Sequence, residues 1–122
     1  MGSPAGPLLL QREVQLLARV STGAYQGAAT AVGADISFTV PAKDSNGVAF
    51  DYIRHSYSAT PAPGRILITD GAGTTHMDMD ILLSGHFVTP AFLVTPHGLS
   101  ATVTLKGASG ATGKLGFVPW YQ

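Results

Sequence analysis

The stretch Ile68–Ile81 (ITDGAGTTHMDMDI) sets His76, Asp78 and Asp80 at every second position behind a glycine-rich turn. Such side chains ligate metals, transfer protons or flank a glycosidic bond, so their spacing decides which chemistry is open to them. In a strand, residues two apart lie about 6.6 Å from each other on one face. Zinc ligands must reach within about 2.0–2.2 Å of the ion. At most a neighbouring pair of the three could share one metal, and the remaining ligands would come from His55, His86 or His97. Asp78 and Asp80, side by side on one strand, lack the placement of two carboxylates flanking a sugar linkage. Period-two patterning gives the alternative reading: His76, Asp78 and Asp80 form a polar outer face while Met77, Met79 and Ile81 point to the core. A polar row also discourages unwanted pairing at a sheet edge. If that face meets a neighbouring subunit, His76 beside Asp78 is placed to hydrogen-bond across the interface.

Other motifs are weaker. Asp70–Gly73 leads into a strand, whereas phosphate-binding glycine loops open a helix. Gly107–Lys114 (GASGATGK) ends in Gly-Lys, but Leu115 replaces the Ser or Thr that a Walker loop needs. Serine, histidine and carboxylate are all present, yet Gly107-Ala108-Ser109-Gly110 falls one residue short of a nucleophile elbow. The expectation is a non-enzymatic protein with no catalytic residues, no cofactor and no bound metal.

The elements that position these residues read as strands. Ile36, Phe38 and Val40 alternate with Ser37 and Thr39, and Pro41–Gly47 supplies turn chemistry. In the next run Val48, Phe50 and Tyr52 share one face and Asp51, Ile53 and His55 the other, which marks a central strand covered on both sides for part of its length. Ser58–Gly64 (SATPAPG) is a loop, because two prolines in three residues end a ladder. Arg65–Thr69 and Thr74–Leu83 flank Asp70–Gly73 as a hairpin. His86–Thr95 carries Pro90 in its middle and reads as an edge strand. Ala101–Leu105 alternates, and Lys114–Tyr121 closes the chain. Leu8–Val20 fits an amphipathic helix or a strand, and the pattern leaves both open. The fold class is all-β, an antiparallel β-sandwich or jelly-roll-like domain of about eight strands. Residues 1–33 read as an extended or partly helical arm and residues 34–122 as the sandwich.

Composition narrows the partners. Only 11% of residues are charged and 45% are hydrophobic, against about 25% charged in a typical soluble domain. Such a surface suits an assembly. Seven basic and seven acidic residues cancel without a block of like charge, which argues against nucleic acid or an anionic membrane as partner. Leu8-Leu9-Leu10 is too short for a secretory core or a membrane span. With no cysteine, neither disulfides nor thiolate metal sites arise.

Arg65–Gly71 with its following alternating strand, then Ala101–Lys106, then Gly110–Val118 resemble small β-sandwich structural proteins of tailed-phage virions, over residues 35–122. The resemblance implies a head decoration or cement protein located in the virion. Such a protein associates with copies of itself and with other virion proteins, the major capsid protein foremost, and has no catalytic residues to carry over. Leu8, Leu9, Leu10, His76, Asp78, Asp80, Trp120 and Tyr121 are the expected interface residues, since the arm and the apolar tail must dock somewhere. Two further readings remain open. One is a carbohydrate-binding module using Trp120, Tyr121 and the row His76, Asp78 and Asp80; the other is a small metal-dependent β-barrel enzyme with His76 and Asp78 among its ligands.

Overall fold

The computed structural model describes residues 20–60 and 62–122, so Leu8–Leu10 and nearly all of the segment read as helix or strand lie outside the described residues. The described chain is all-β, with ten strands: β1 Val20–Ser21, β2 Tyr25–Ala28, β3 Ile36–Val40, β4 Val48–Tyr57, β5 Gly64–Asp70, β6 Thr75–Ile81, β7 Gly85–Val94, β8 Ala101–Lys106, β9 Gly113–Phe117 and β10 Trp120–Tyr121. They form two antiparallel sheets packed as a sandwich. The six-stranded sheet runs β1-β10-β4-β9-β2 with β7 on the other side of β4, and the four-stranded sheet runs β3-β8-β5-β6. Within the segment read as an arm, Val20–Ser21 pairs with β10 and Tyr25–Ala28 pairs with β9, so residues 20–28 are part of the larger sheet.

One apolar core joins the sheets. Val40, Ile66, Ile68, Val103 and Leu105 from the smaller sheet meet Val48, Phe50, Ile53, Leu115 and Phe117 from the larger. Phe117 is the aromatic centre: Tyr25 stacks on it at 5.4 Å, and Phe50 and Phe38 stand at 5.7 and 6.1 Å. Burying side chains of this size removes roughly 1.5–3 kcal/mol of unfavourable hydration each, which is what holds a cysteine-free sandwich together.

The central strand is β4, flanked by β7, β9 and β10, but its faces differ from the sequence pattern. Its register with β7 shifts between Phe50 and Tyr52. Val48 and Phe50 point into the core, and past the irregularity Ile53, His55 and Tyr57 take over that role while Tyr52 turns outward. A bulge reassigns every later side chain, which simple alternation does not anticipate. The closing run also divides. Val118 and Pro119 separate β9 from β10, since proline has no N–H for the ladder. The hairpin between β5 and β6 forms as read, with β5 one residue longer at each end and β6 one residue shorter at its start and two at its end.

Candidate functional site

The polar row of β6 is held within its own sheet. His76 Nε2 lies 2.7 Å from Asp70 Oδ2. Arg65 Nε donates to Asp78 Oδ1 at 2.6 Å, and its second nitrogen reaches Asp78 Oδ2. Asp80 sits opposite Arg65 in the register. His76 and Asp78 therefore engage different partners, and among the described residues no three of His, Asp and Glu gather closely enough to hold a metal ion. Met77 packs against the core and Ile81 is buried in it, but Met79, read as core-facing, is exposed because β6 is a sheet edge, so the two-faced strand is realised only in part. β6 is an edge of the smaller sheet, where charge guards against pairing.

Sequence reasoning missed Asp70, which it treated as a turn residue. Its side chain is almost completely covered and accepts from the N–H groups of Ala72 at 2.8 Å and Thr74 at 3.1 Å as well as from His76. The hydrogen bond from His76 holds its carboxyl below the usual range, with the two turn amides assisting against the opposing effect of burial. The available signal was an Asp at the first position of a glycine-rich turn, where Asx side chains satisfy nearby amides.

Trp120 and Tyr121 diverge because neighbouring residues of a strand face opposite sides. The Tyr121 hydroxyl donates to the Pro41 carbonyl at 2.7 Å, and the Lys43 ammonium stands 5.3 Å above its ring, so this residue is spent on internal packing. Trp120 turns outward. It belongs to the larger sheet while His76, Asp78 and Asp80 belong to the smaller, so the grouping of Trp120, Tyr121 and the β6 row is not brought together.

Two surfaces of the larger sheet stand out instead. The first is a groove on its outer face. A concavity of about 330 Å³ is lined by Tyr52, Trp120, Asp51, Arg54, Gln26 and Gly116 among others. A second, of about 400 Å³, shares Arg54, Gln26 and Gly116 and extends to Ser56, His86 and Lys114. The second surface is the edge strand β7, which pairs only with β4 among the described strands. It carries exposed Phe87, Val88, Phe92 and Val94, and the connection before it exposes Leu82 at 69% and Leu83 at 63%. Phe92 adopts φ +45°, a left-handed conformation that a bulky side chain rarely takes. Its ring meets Tyr52 edge-on at 5.2 Å, and Tyr52 is itself 54% exposed.

His55 is buried beneath β7. Its Nε2 shares a 2.7 Å hydrogen bond with Thr89 Oγ1, its ring stacks on Phe87, and Nδ1 has no partner. Burial depresses its pKa, and His86 adds to the effect.

Fold and surfaces together define a two-sheet antiparallel β-sandwich with an apolar edge and a polar-aromatic groove. No protein-family model matches the chain, and no curated protein matches it. Among solved structures it is similar to a carbohydrate-binding module, CBM36, in complex with calcium and xylotriose, with 15% identity over 84% of this chain and 98% of that one and a TM-score of 0.47. It is similar to the CBM36-1 domain of a multidomain xylanase from the hindgut metagenome of Trinervitermes trinervoides, with 12% identity over 85% of this chain and 90% of that one and a TM-score of 0.47. It is likewise similar to a chain in the structure of infectious bursal disease virus Gx strain, with 12% identity, 84% of this chain and 31% of that one covered, and a TM-score of 0.48. The fold thus resembles both kinds of protein at low identity.

Proposed function

We propose that this protein is a non-enzymatic structural component of a viral particle, of the phage head decoration or cement type, which self-associates and binds the capsid or another virion component. The observation that carries the reading is β7: a ten-residue edge strand with apolar side chains exposed along it and a dileucine step leading into it. Unpaired strand edges recruit other chains, and free monomers blunt them with charge. β6 follows that rule, whereas β7 carries no Asp, Glu, Lys or Arg and interrupts its edge only with Pro90. Two β7 strands meeting across a two-fold axis would pair self-complementarily and cover Phe87, Val88 and Phe92. The low charge of the chain fits a surface buried in an assembly. The resemblance of residues 35–122 to phage virion proteins supports a virion as that assembly.

Light scattering of the purified protein, with microscopy of any particle that copurifies, tests the reading. A stable oligomer or a decorated particle is expected, and Leu82→Glu with Leu83→Glu should shift the oligomer to monomer. A strictly monomeric protein that binds no particle overturns the proposal.

A further inference from the structure

The groove on the outer face of the larger sheet lies beside the β7 edge, from which His86 reaches it, and its construction is specific. Register places Arg54, Gly116 and Gln26 in one row across β4, β9 and β2. Gly116 forms the floor: a Cβ there would stand 3.4 Å from the Gln26 Cβ, in the middle of the row. Tyr52 precedes Arg54 by two residues, so it lies about 6.8 Å along the strand. Ser56 follows at the same interval, opposite Lys114 on β9. The result is a channel with the rings of Tyr52 and Trp120 at one end, Arg54 and Gln26 in the middle and Lys114 with Ser56 at the other.

The charges are distributed unevenly. Arg65 and Lys106 are neutralised by Asp78 and Asp35, and Lys43 stands over the Tyr121 ring. Arg54 and Lys114, the other two cations among the described residues, have no ion pair there, and both line the groove with His86 beside them. Asp51 stands at the opposite, aromatic end. A ligand that satisfies this pattern stacks an uncharged ring face on Trp120 or Tyr52, offers hydroxyls to Gln26 and Ser56, and sets an anionic group between Arg54 and Lys114. Guanidinium and ammonium donors aimed at a carboxylate or sulfate form charge-assisted hydrogen bonds, stronger than neutral ones.

We infer that this groove binds an acidic oligosaccharide lying along β4 and β9 with β2 at its side, the ring stacked at Trp120 and Tyr52 and the acid group held by Arg54 and Lys114. A single-stranded nucleic acid fits less well. It places a phosphate at every step and stacks successive bases on a series of aromatics, whereas here the rings of Tyr52 and Trp120 stand together at one end and only Arg54 and Lys114 supply charge beyond them.

Trp120 is the single tryptophan of the chain, so its fluorescence reports occupancy of the groove directly. The full-length protein is titrated with tetragalacturonate, a hyaluronan hexasaccharide and a heparin-derived tetrasaccharide, with cellotetraose and an octathymidylate as comparisons. At least one acidic saccharide is expected to bind roughly tenfold or more tighter than cellotetraose, the difference a charge-assisted contact supplies. Arg54→Gln and Lys114→Gln, both on exposed positions, should each remove most of that preference while leaving the unfolding midpoint unchanged. Arg65→Gln, on the other sheet, should leave binding intact. Three results overturn the inference: no response to any acidic saccharide, binding that Arg54→Gln and Lys114→Gln do not weaken, or binding of the octathymidylate in preference to the saccharides. A Trp120 signal that follows protein concentration and ignores saccharide would assign the groove to a second copy instead. Because the readout is ligand binding, its failure leaves the β7 assembly reading standing, and the reverse also holds.

Discussion

Asp70 and His76 face each other at 2.7 Å across the turn between β5 and β6, a carboxylate sealed under the turn and a histidine covering it. The same carboxylate takes the amides of Ala72 and Thr74, so one side chain organises the hairpin from within. What the sequence presents as a site histidine is, in the fold, a β6 residue that covers the carboxylate of the turn.

The first prediction concerns acid. The Asp70 carboxyl is held below its ordinary value, chiefly by the His76 hydrogen bond. A depressed folded-state pKa contributes stability that is fully present above the unfolded value of about 3.9 and is lost as pH falls through the folded one. Asp70→Asn should therefore lower the denaturation midpoint at pH 7, and the gap from the wild type should narrow below pH of about 4. A gap that stays constant down to full protonation would remove Asp70 as the turn's organiser. Denaturant unfolding at a series of pH values measures it.

A second prediction concerns His55. Burial, and then His86, lower its pKa, because a charged imidazole beneath β7 would lose its hydration. Stability linked to this group is complete above the unfolded value of about 6.5 and declines as pH drops toward the folded value. His55→Gln, which keeps a hydrogen-bonding end for Thr89 but does not titrate, should show a flatter stability curve between about pH 7 and pH 5. A wild-type curve that is already flat there would contradict the assignment.

Gly107 is a packing contact in which backbone meets backbone. A methyl group added there would collide with the carbonyl of Gly33 and press on Ala34, and the Gly107 amide donates to Asp35 Oδ1 at 2.6 Å. Gly107→Ala should cost about 1–3 kcal/mol, the usual range for overpacking where the neighbour cannot yield. An unchanged thermal midpoint would show that residues 33–35 are free to move aside.

Phe92 combines backbone strain with solvent exposure, a pairing that folding alone does not reward. Phe92→Gly should relieve strain of order 1–3 kcal/mol while removing the ring that meets Tyr52. The expected outcome is a monomer at least as stable as the wild type and a weaker oligomer, read by unfolding and sedimentation on the same samples. Undiminished assembly would place the interface away from the middle of β7.

Several features follow from the sequence for local reasons. Alternation in Ile36–Val40, Thr75–Ile81 and Ala101–Lys106 marks half-buried strands, because side chains two apart must share a face. Pro90 marks β7 as an edge, since a proline cannot serve the middle of a ladder. The β4 faces were not legible past Phe50, because the register shift there arises from how β7 pairs with it. The partner of His76 was hidden for a similar reason: alternation places a residue on a face but says nothing of a carboxylate across a turn.

Trp120 and Tyr121 show the same division. Their apolar character alone required the tail to dock, and strand geometry alone sends them to opposite sides. Tertiary structure decided which side is core, placing Tyr121 against Pro41 and Trp120 at the head of a groove whose floor is Gly116. That groove combines β2, β4, β9 and β10, segments distant along the chain, and hydrogen-bond register brings them together. The sequence by itself determined strands, turns and an antiparallel β architecture, because these depend on neighbours within a few residues. The cationic end of the groove and the bare apolar edge were decided only by tertiary structure, because both depend on which strands lie side by side.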